Sequence, residues 1–132
     1  KDEHVGLIER SNRATKNKAR TMTHALPYVR VLKLMIIGLI TEAIKWVNAF
    51  PSTTGISKTM SPDTIVQGLP RPDMKFRRIV YGLHAMVHDG TNNKMDARCI
   101  PAIVLHSSNE HGGHYFMSLY RGKRIHSYKW EE

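Results

Sequence analysis

Between Val29 and Phe50, apolar side chains recur at three- and four-residue steps: Leu32, Ile36, Leu39, Ile40, Ala43, Trp46, Val47 and Phe50. That spacing predicts one helix with an apolar stripe, and it is the strongest periodic signal in the chain. Arg30, Lys33, Glu42 and Lys45 are left for the opposite face. Pro51 lacks an amide hydrogen and stops the helix. Such a stripe is more often packing surface than a cofactor site.

A helix is also predicted from about Val5 to Leu26. Ile8, Thr15, Ala19, Met22 and Leu26 fall near helical spacing, and Pro27 ends the pattern. Residues 51–60 are rich in Ser, Thr and Gly and read as a loop. Ser61 is a candidate cap for a short helix with Pro62 in its first turn, ending near Gly68. Leu69-Pro70-Arg71-Pro72 forbids regular structure. Beyond it the period changes. Arg78 to His88, Cys99 to His106, His114 to Tyr120 and Arg124 to Trp130 read as strands, with turn signals at Asp89-Gly90 and Arg121-Gly122-Lys123. The expectation is an α+β chain whose second half is a small antiparallel β-barrel, divided as 1–50, 51–75 and 76–132.

The 132 residues suffice for one ordinary core or two small subdomains. With 41% hydrophobic and 23% charged residues the chain has the balance of a folded protein rather than a disordered tail. Lys and Arg number 20 against 11 Asp and Glu, a net charge of +9, which makes nucleic acid the first partner to consider. Cys99 is the only cysteine, so no internal disulfide forms, which fits a reducing compartment. The start at Lys1 shows no signal-peptide pattern, and Leu34 to Ile40 is too short to span a bilayer. The start and the end at Trp130-Glu131-Glu132 both read as cuts through a longer polypeptide.

On the first helix, Glu9, Asn12, Arg13 and Lys16 share one face. The stretch from Arg10 to Arg20 adds Arg10, Lys18 and Arg20 and contains no acid. A carboxylate can bind a hard divalent cation while neighbouring cations hold phosphates. By spacing alone, a solvated face with internal Glu-to-Arg pairs is the favoured explanation of the pattern.

The sequence Gly6-x-x-Glu9-Arg10-x-Asn12-Arg13, followed by a helix rich in Thr and Lys, resembles the segment around the third acid of copia-type LTR-retrotransposon integrases. Ala49-Phe50-Pro51, then Thr59-Met60-Ser61-Pro62 and Gly68-x-Pro70-x-Pro72, resemble that family's Thr-Pro helix and Gly-Lys-Pro turn. Arg78-Ile79-Val80-Tyr81-Gly82 with Ala85-Met86-Val87 resembles the opening strand of its SH3-like subdomain. Arg98 to Ile103 and Gly112-Gly113-x-Tyr115-Phe116 through Ser127 resemble the remaining strands.

The resemblance implies the C-terminal helices of a ribonuclease-H-like core (1–50), a connecting loop and short helix (51–75), and an SH3-like β subdomain (76–132). It implies a polynucleotidyl transferase of a Gag-Pol polyprotein, with Glu9 as the final acid of an Asp-Asp-Glu triad and a metal ligand. Asn12, Arg13, Lys16, Lys18 and Arg20 would meet DNA, with Arg121, Lys123 and Arg124 adding phosphate contacts. The implied cofactor is Mg²⁺ or Mn²⁺ in the complete enzyme, with none bound tightly by this chain alone. The implied partners are element ends and target DNA within a homo-oligomer, with no membrane. The implied location is intracellular, in the nucleus or a virus-like particle.

There are departures from the family pattern. His4-Val5 stands where the family has Gln-Asn, Ala14 where it has Thr, and Gly82-Leu83 where it often has Gly-Cys. The first two acids of the triad lie far upstream of the Glu in the family, and eight residues precede Glu9 here. Asp2 and Glu3 are too close in sequence to replace acids from separate strands. One carboxylate cannot hold the two ions that clamp attacking and leaving oxygens, so this chain alone is expected not to join DNA.

Other chemistry is weaker. In an extended segment His84 and His88 stand roughly 13 Å apart, and His111 and His114 flank a Gly pair, so structural zinc is not expected. Cys99 reads as inert core, and Ser107-Ser108 near His106 has no orienting acid. Two rivals to the enzyme reading are a non-catalytic nucleic-acid-binding or assembly module and a relic of a decayed element.

Overall fold

The computed structural model describes residues 3–68, 79–90, 94–108 and 112–132. It is α+β: α1 (Glu3–His24), α2 (Lys33–Ala49) and α3 (Pro62–Gln67) precede five strands. These are β1 (His84–His88), β2 (Cys99–Ser107), β3 (His114–Ser118), β4 (Arg124–Ser127) and β5 (Trp130–Glu131). The segment Leu69-Pro70-Arg71-Pro72, Arg78 and His111 lie outside the described residues. Among those described, no helix is long and apolar enough to cross a membrane.

The local signals act where they stand. Ser61 Oγ accepts from the Thr64 amide at 3.2 Å, Pro62 opens α3, and Gly68 closes it in the left-handed region. α1 seats only its second half. Ala19 packs with Leu39, Ala43 and Tyr81, and Met22 and Leu26 pack against that cluster. Ile8, expected in the stripe, is 63% exposed, because α2 runs past the later turns of α1 and not the first.

The face of α2 is a correction. Its buried positions are Met35, Gly38, Leu39, Glu42, Ala43 and Ala49, while Leu32, Ile36, Ile37, Ile40 and Ile44 form an exposed aliphatic ridge. Glu42 and Lys45, expected to point away, turn toward β2, where Ser107 donates its amide to Glu42 and accepts from Lys45 Nζ. The cause lies in the sheet. The β2–β3 register shifts between Val104 and His106, so Leu105 is a bulge residue, and β1 pairs β2 only as far as Ile103, so Ser107 lies beyond the end of the β1 ladder. A buried amide without a partner costs about 1–3 kcal/mol, and the two charged side chains supply the missing bonds. Gly38 makes the approach possible: a Cβ there would sit 3.0 Å from Leu105 Cβ.

The strands form one antiparallel sheet in the order β4-β3-β2-β1-β5. One face buries Ala85, Val87, Ala102, Val104 and Phe116 with Ile79, and Ile125 and Trp130 pack against them. Among the described residues that cluster draws on the sheet and Ile79 alone, so the sheet is rolled on its own inner face. The last strand segment bends at Tyr128–Lys129, so that β4 pairs with β3 and β5 with β1. The ladder itself stays open. The outer face carries Ile103, Leu105 and Met117 beneath Met35 of α2. The extended stretch expected from Arg78 begins as a strand only at His84, because Gly82 turns at φ 80°, a conformation that favours glycine. Tyr81 beside it donates its hydroxyl to the Met35 carbonyl at 2.6 Å, and burial pushes that phenol up to about 12.

Candidate nucleic-acid interface

On α1 the residues singled out from sequence separate into two sides. Glu9, Asn12, Arg13, Lys16 and Arg20 are all exposed, and helical geometry puts them within one broad face. Lys18 lies on the opposite side, half-buried, with Nζ 5.1 Å from the centroid of the Trp46 ring on α2. Arg10 points another way again. With Leu7, Ala14, Val47, Ile56 and Ile65 it lines a groove of about 490 Å³ between α1, the end of α2 and α3. The residues that share the Glu9 face are therefore fewer than the acid-free stretch from Arg10 to Arg20. Within the helix, Thr15 and Thr21 satisfy their hydroxyls on the carbonyls of Ser11 and Asn17.

Among the described residues, Glu9 is the one carboxylate on that face. A divalent ion of the Mg²⁺ or Ca²⁺ kind takes at least six oxygen ligands, usually from several carboxylates, carbonyls and waters. Among the described residues no three His, Cys, Asp or Glu side chains are grouped to hold a metal ion. One exposed carboxylate does not fit such an ion by itself.

The second basic group belongs to the β3–β4 connection. Arg121, Lys123 and Arg124 are exposed. The turn is tied by Gly122 donating to the Ser118 carbonyl at 2.8 Å and by Arg121 donating its amide to Ser118 Oγ at 3.4 Å. The Arg124 guanidinium lies over the Tyr115 ring at 4.6 Å. Tyr115 is paired with His126 on β4 and with His106 on β2, so three aromatic rings cross the sheet beside the turn. Sequence reading missed this row, since it depends on cross-strand register. The local signal was the run from His111 to Trp130, which mixes aromatics with Arg121, Lys123, Arg124 and Lys129 and has no acid.

Among the histidines, burial lowers the His106 imidazole below its ordinary value, with Lys45 and Arg124 adding to the effect against the opposing Ser107 carbonyl. His114 is 2% exposed, its Nδ1 has no hydrogen-bond partner, and its ring meets Trp130 edge-on at 4.8 Å. Burial first, then the charge of Lys45 and the coulombic influence of the His106 and His126 rings, pull it down to about 4. Cys99 is half-buried rather than core, with Sγ 3.7 Å from the His88 ring nitrogens. Comparison with protein-family models, curated proteins and solved structures found no match for this chain.

Proposed function

We propose that this chain is the back part of an integrase of the copia-type LTR-retrotransposon class, contributing a DNA-facing helix and a basic β subdomain to a polynucleotidyl transferase. The observation that carries the reading is the outer face of α1. Glu9, Asn12, Arg13, Lys16 and Arg20 stand together in solvent, within the motif Gly6-x-x-Glu9-Arg10-x-Asn12-Arg13 and the turns after it. Among the described residues, three cations and an amide share that face with Glu9 as its one acid, which suits a phosphate backbone. On this reading α1 and α2 are the last helices of a ribonuclease-H-like core, and the rolled sheet is its SH3-like subdomain. The aliphatic ridge of α2 is then the surface that the rest of the core covers, which accounts for a helix that turns its charges inward and its isoleucines out.

The reaction of that class is transesterification: a hydroxyl oxygen attacks phosphorus in line, and the P–O bond opposite it breaks. In the complete enzyme Glu9 would be one of three acids holding Mg²⁺ or Mn²⁺. Asn12, Arg13, Lys16 and Arg20 position the DNA end, and Arg121, Lys123 and Arg124 add contacts that carry no base information. In a longer polypeptide bearing the two upstream acids, Glu9→Gln is expected to keep fold and DNA binding while abolishing strand transfer. Strand transfer retained in that variant removes Glu9 from the metal centre. The purified chain given Mn²⁺ and a DNA end is expected to join nothing. A second reading, a nucleic-acid-binding module without chemistry, is favoured by the basic and aromatic margin of the sheet, which needs no reacting group to bind a strand.

A further inference from the structure

Phosphate contacts alone leave the β3–β4 margin unexplained. His106, Tyr115 and His126 are register partners across β2, β3 and β4, and Tyr128 continues the line two residues along β4's chain. Successive ring centroids are 4.8, 4.9 and 4.9 Å apart. The row stands on the outer face: its three paired rings are half-buried, Tyr115 packing at the edge of the cluster beneath Met35, and Tyr128 is 62% exposed. Two of its members are held in place by carbonyls. His106 Nδ1 lies 3.1 Å from the Ser107 oxygen and His126 Nε2 lies 2.8 Å from the Gly112 oxygen. Cross-strand pairing explains the regular spacing. It does not explain why the row is left only half covered, bordered by Arg124 at 4.6 Å from Tyr115, with no acid between His111 and Trp130.

Duplex nucleic acid keeps its base faces stacked on one another and offers only edges and phosphates. A single strand frees the faces, and proteins take them on aromatic rings set beside cations. We infer that the row from His106 through Tyr115 and His126 to Tyr128, with Arg124 over it, is a platform on which unpaired bases of a single strand stack. This rests on the nucleic-acid reading above and adds to it the kind of strand bound. Rings already oriented by carbonyls lose little freedom on binding. The lowered basicity of His106 keeps that ring neutral near pH 7, so it stacks without needing a counter-ion.

The test is a fluorescence-anisotropy titration of the whole chain at about 50 mM salt, where phosphate contacts are strong. The probes are a labelled oligothymidylate of about 16 nucleotides, the upper site size of a small barrel, and an abasic deoxyribose-phosphate strand of the same length and charge. Base stacking predicts weaker binding to the abasic strand by at least about 5- to 150-fold, the equivalent of one stacked base. Tyr128→Ala is expected to lose a similar factor on oligothymidylate and nothing on the abasic strand, while Tyr128→Phe keeps the affinity. His126→Ala gives an independent arm should Tyr128→Ala disturb the bend. Oligouridylate with its base-free ribose-phosphate counterpart assigns the strand to DNA or RNA, and base dependence in either supports the platform. Equal binding with and without bases in both series overturns it and leaves phosphate binding standing. No binding to any strand overturns both.

Discussion

Gly6 and Gly38 both sit within helices, yet replacing each by Ala is expected to move stability in opposite directions. A Cβ added at Gly6 meets nothing within 4 Å. There the substitution removes the flexibility penalty of glycine and is expected to stabilise by about 0.5–1 kcal/mol. At Gly38 the same gain applies, but the new methyl sits 3.0 Å from Leu105 Cβ, 3.2 Å from its Cδ2 and 3.5 Å from its Cα. Two of those three atoms cannot swing aside, since they belong to or adjoin the backbone of a bulge residue that is 1% exposed. Overpacking a seated core costs about 1–3 kcal/mol. The net effect of Gly38→Ala is a loss of about 0–2.5 kcal/mol, and the two substitutions should differ by about 1–3 kcal/mol. Gly38→Val should lose more than Gly38→Ala. Urea unfolding followed by circular dichroism reads both, with an unchanged m value showing that only stability moved. Should Gly38→Ala stabilise as much as Gly6→Ala, α2 does not approach the β2 bulge this closely, and the explanation of the inward-facing Glu42 falls with it.

Three further outcomes are expected. Glu42→Ala leaves the Ser107 amide without its acceptor and should cost about 1–3 kcal/mol in urea unfolding; Glu42→Gln keeps an acceptor and should cost clearly less, and equal losses would refute the bond. Replacing Arg13 and Lys16 together by Ala should flatten the slope of log K against log salt on duplex DNA by about 1.8, whereas Lys18→Ala, seated over Trp46, should change it little. An unchanged slope in the double variant would transfer the contact to Arg121, Lys123 and Arg124. His114 has its pKa lowered from 6.5 to about 4 in the fold, so between those values the unfolded chain binds the extra proton. Its contribution is complete above about pH 6.5 and is lost as pH falls toward 4, with a slope approaching about 1.4 kcal/mol per pH unit inside the window. His114→Phe should flatten that part of the pH–stability curve, and an identical curve in the variant would rule out His114 as its source.

What the sequence determined by itself was local. Pro51 ends α2, Ser61-Pro62 and Gly68 bound α3, and Arg121-Gly122-Lys123 turns β3 into β4, because each signal works through the backbone of its own neighbours. The period change near residues 69–72 was enough to separate helices from strands and to give α+β. The exposed set Glu9, Asn12, Arg13 and Lys16 was legible for the same reason, since residues three and four apart share a helix face wherever the helix lies. Tertiary structure decided which side of α2 is buried. Apolar residues extend around more than one face of that helix, so periodicity cannot choose between Leu39 with Ala43 and Ile36 with Ile40. The choice was made by a bulge at Leu105, 60 residues and more along the chain, whose neighbouring Ser107 backbone draws Glu42 and Lys45 inward. The row of His106, Tyr115 and His126 has the same origin: adjacency across strands is set by register, and register is fixed by how a whole sheet buries one face.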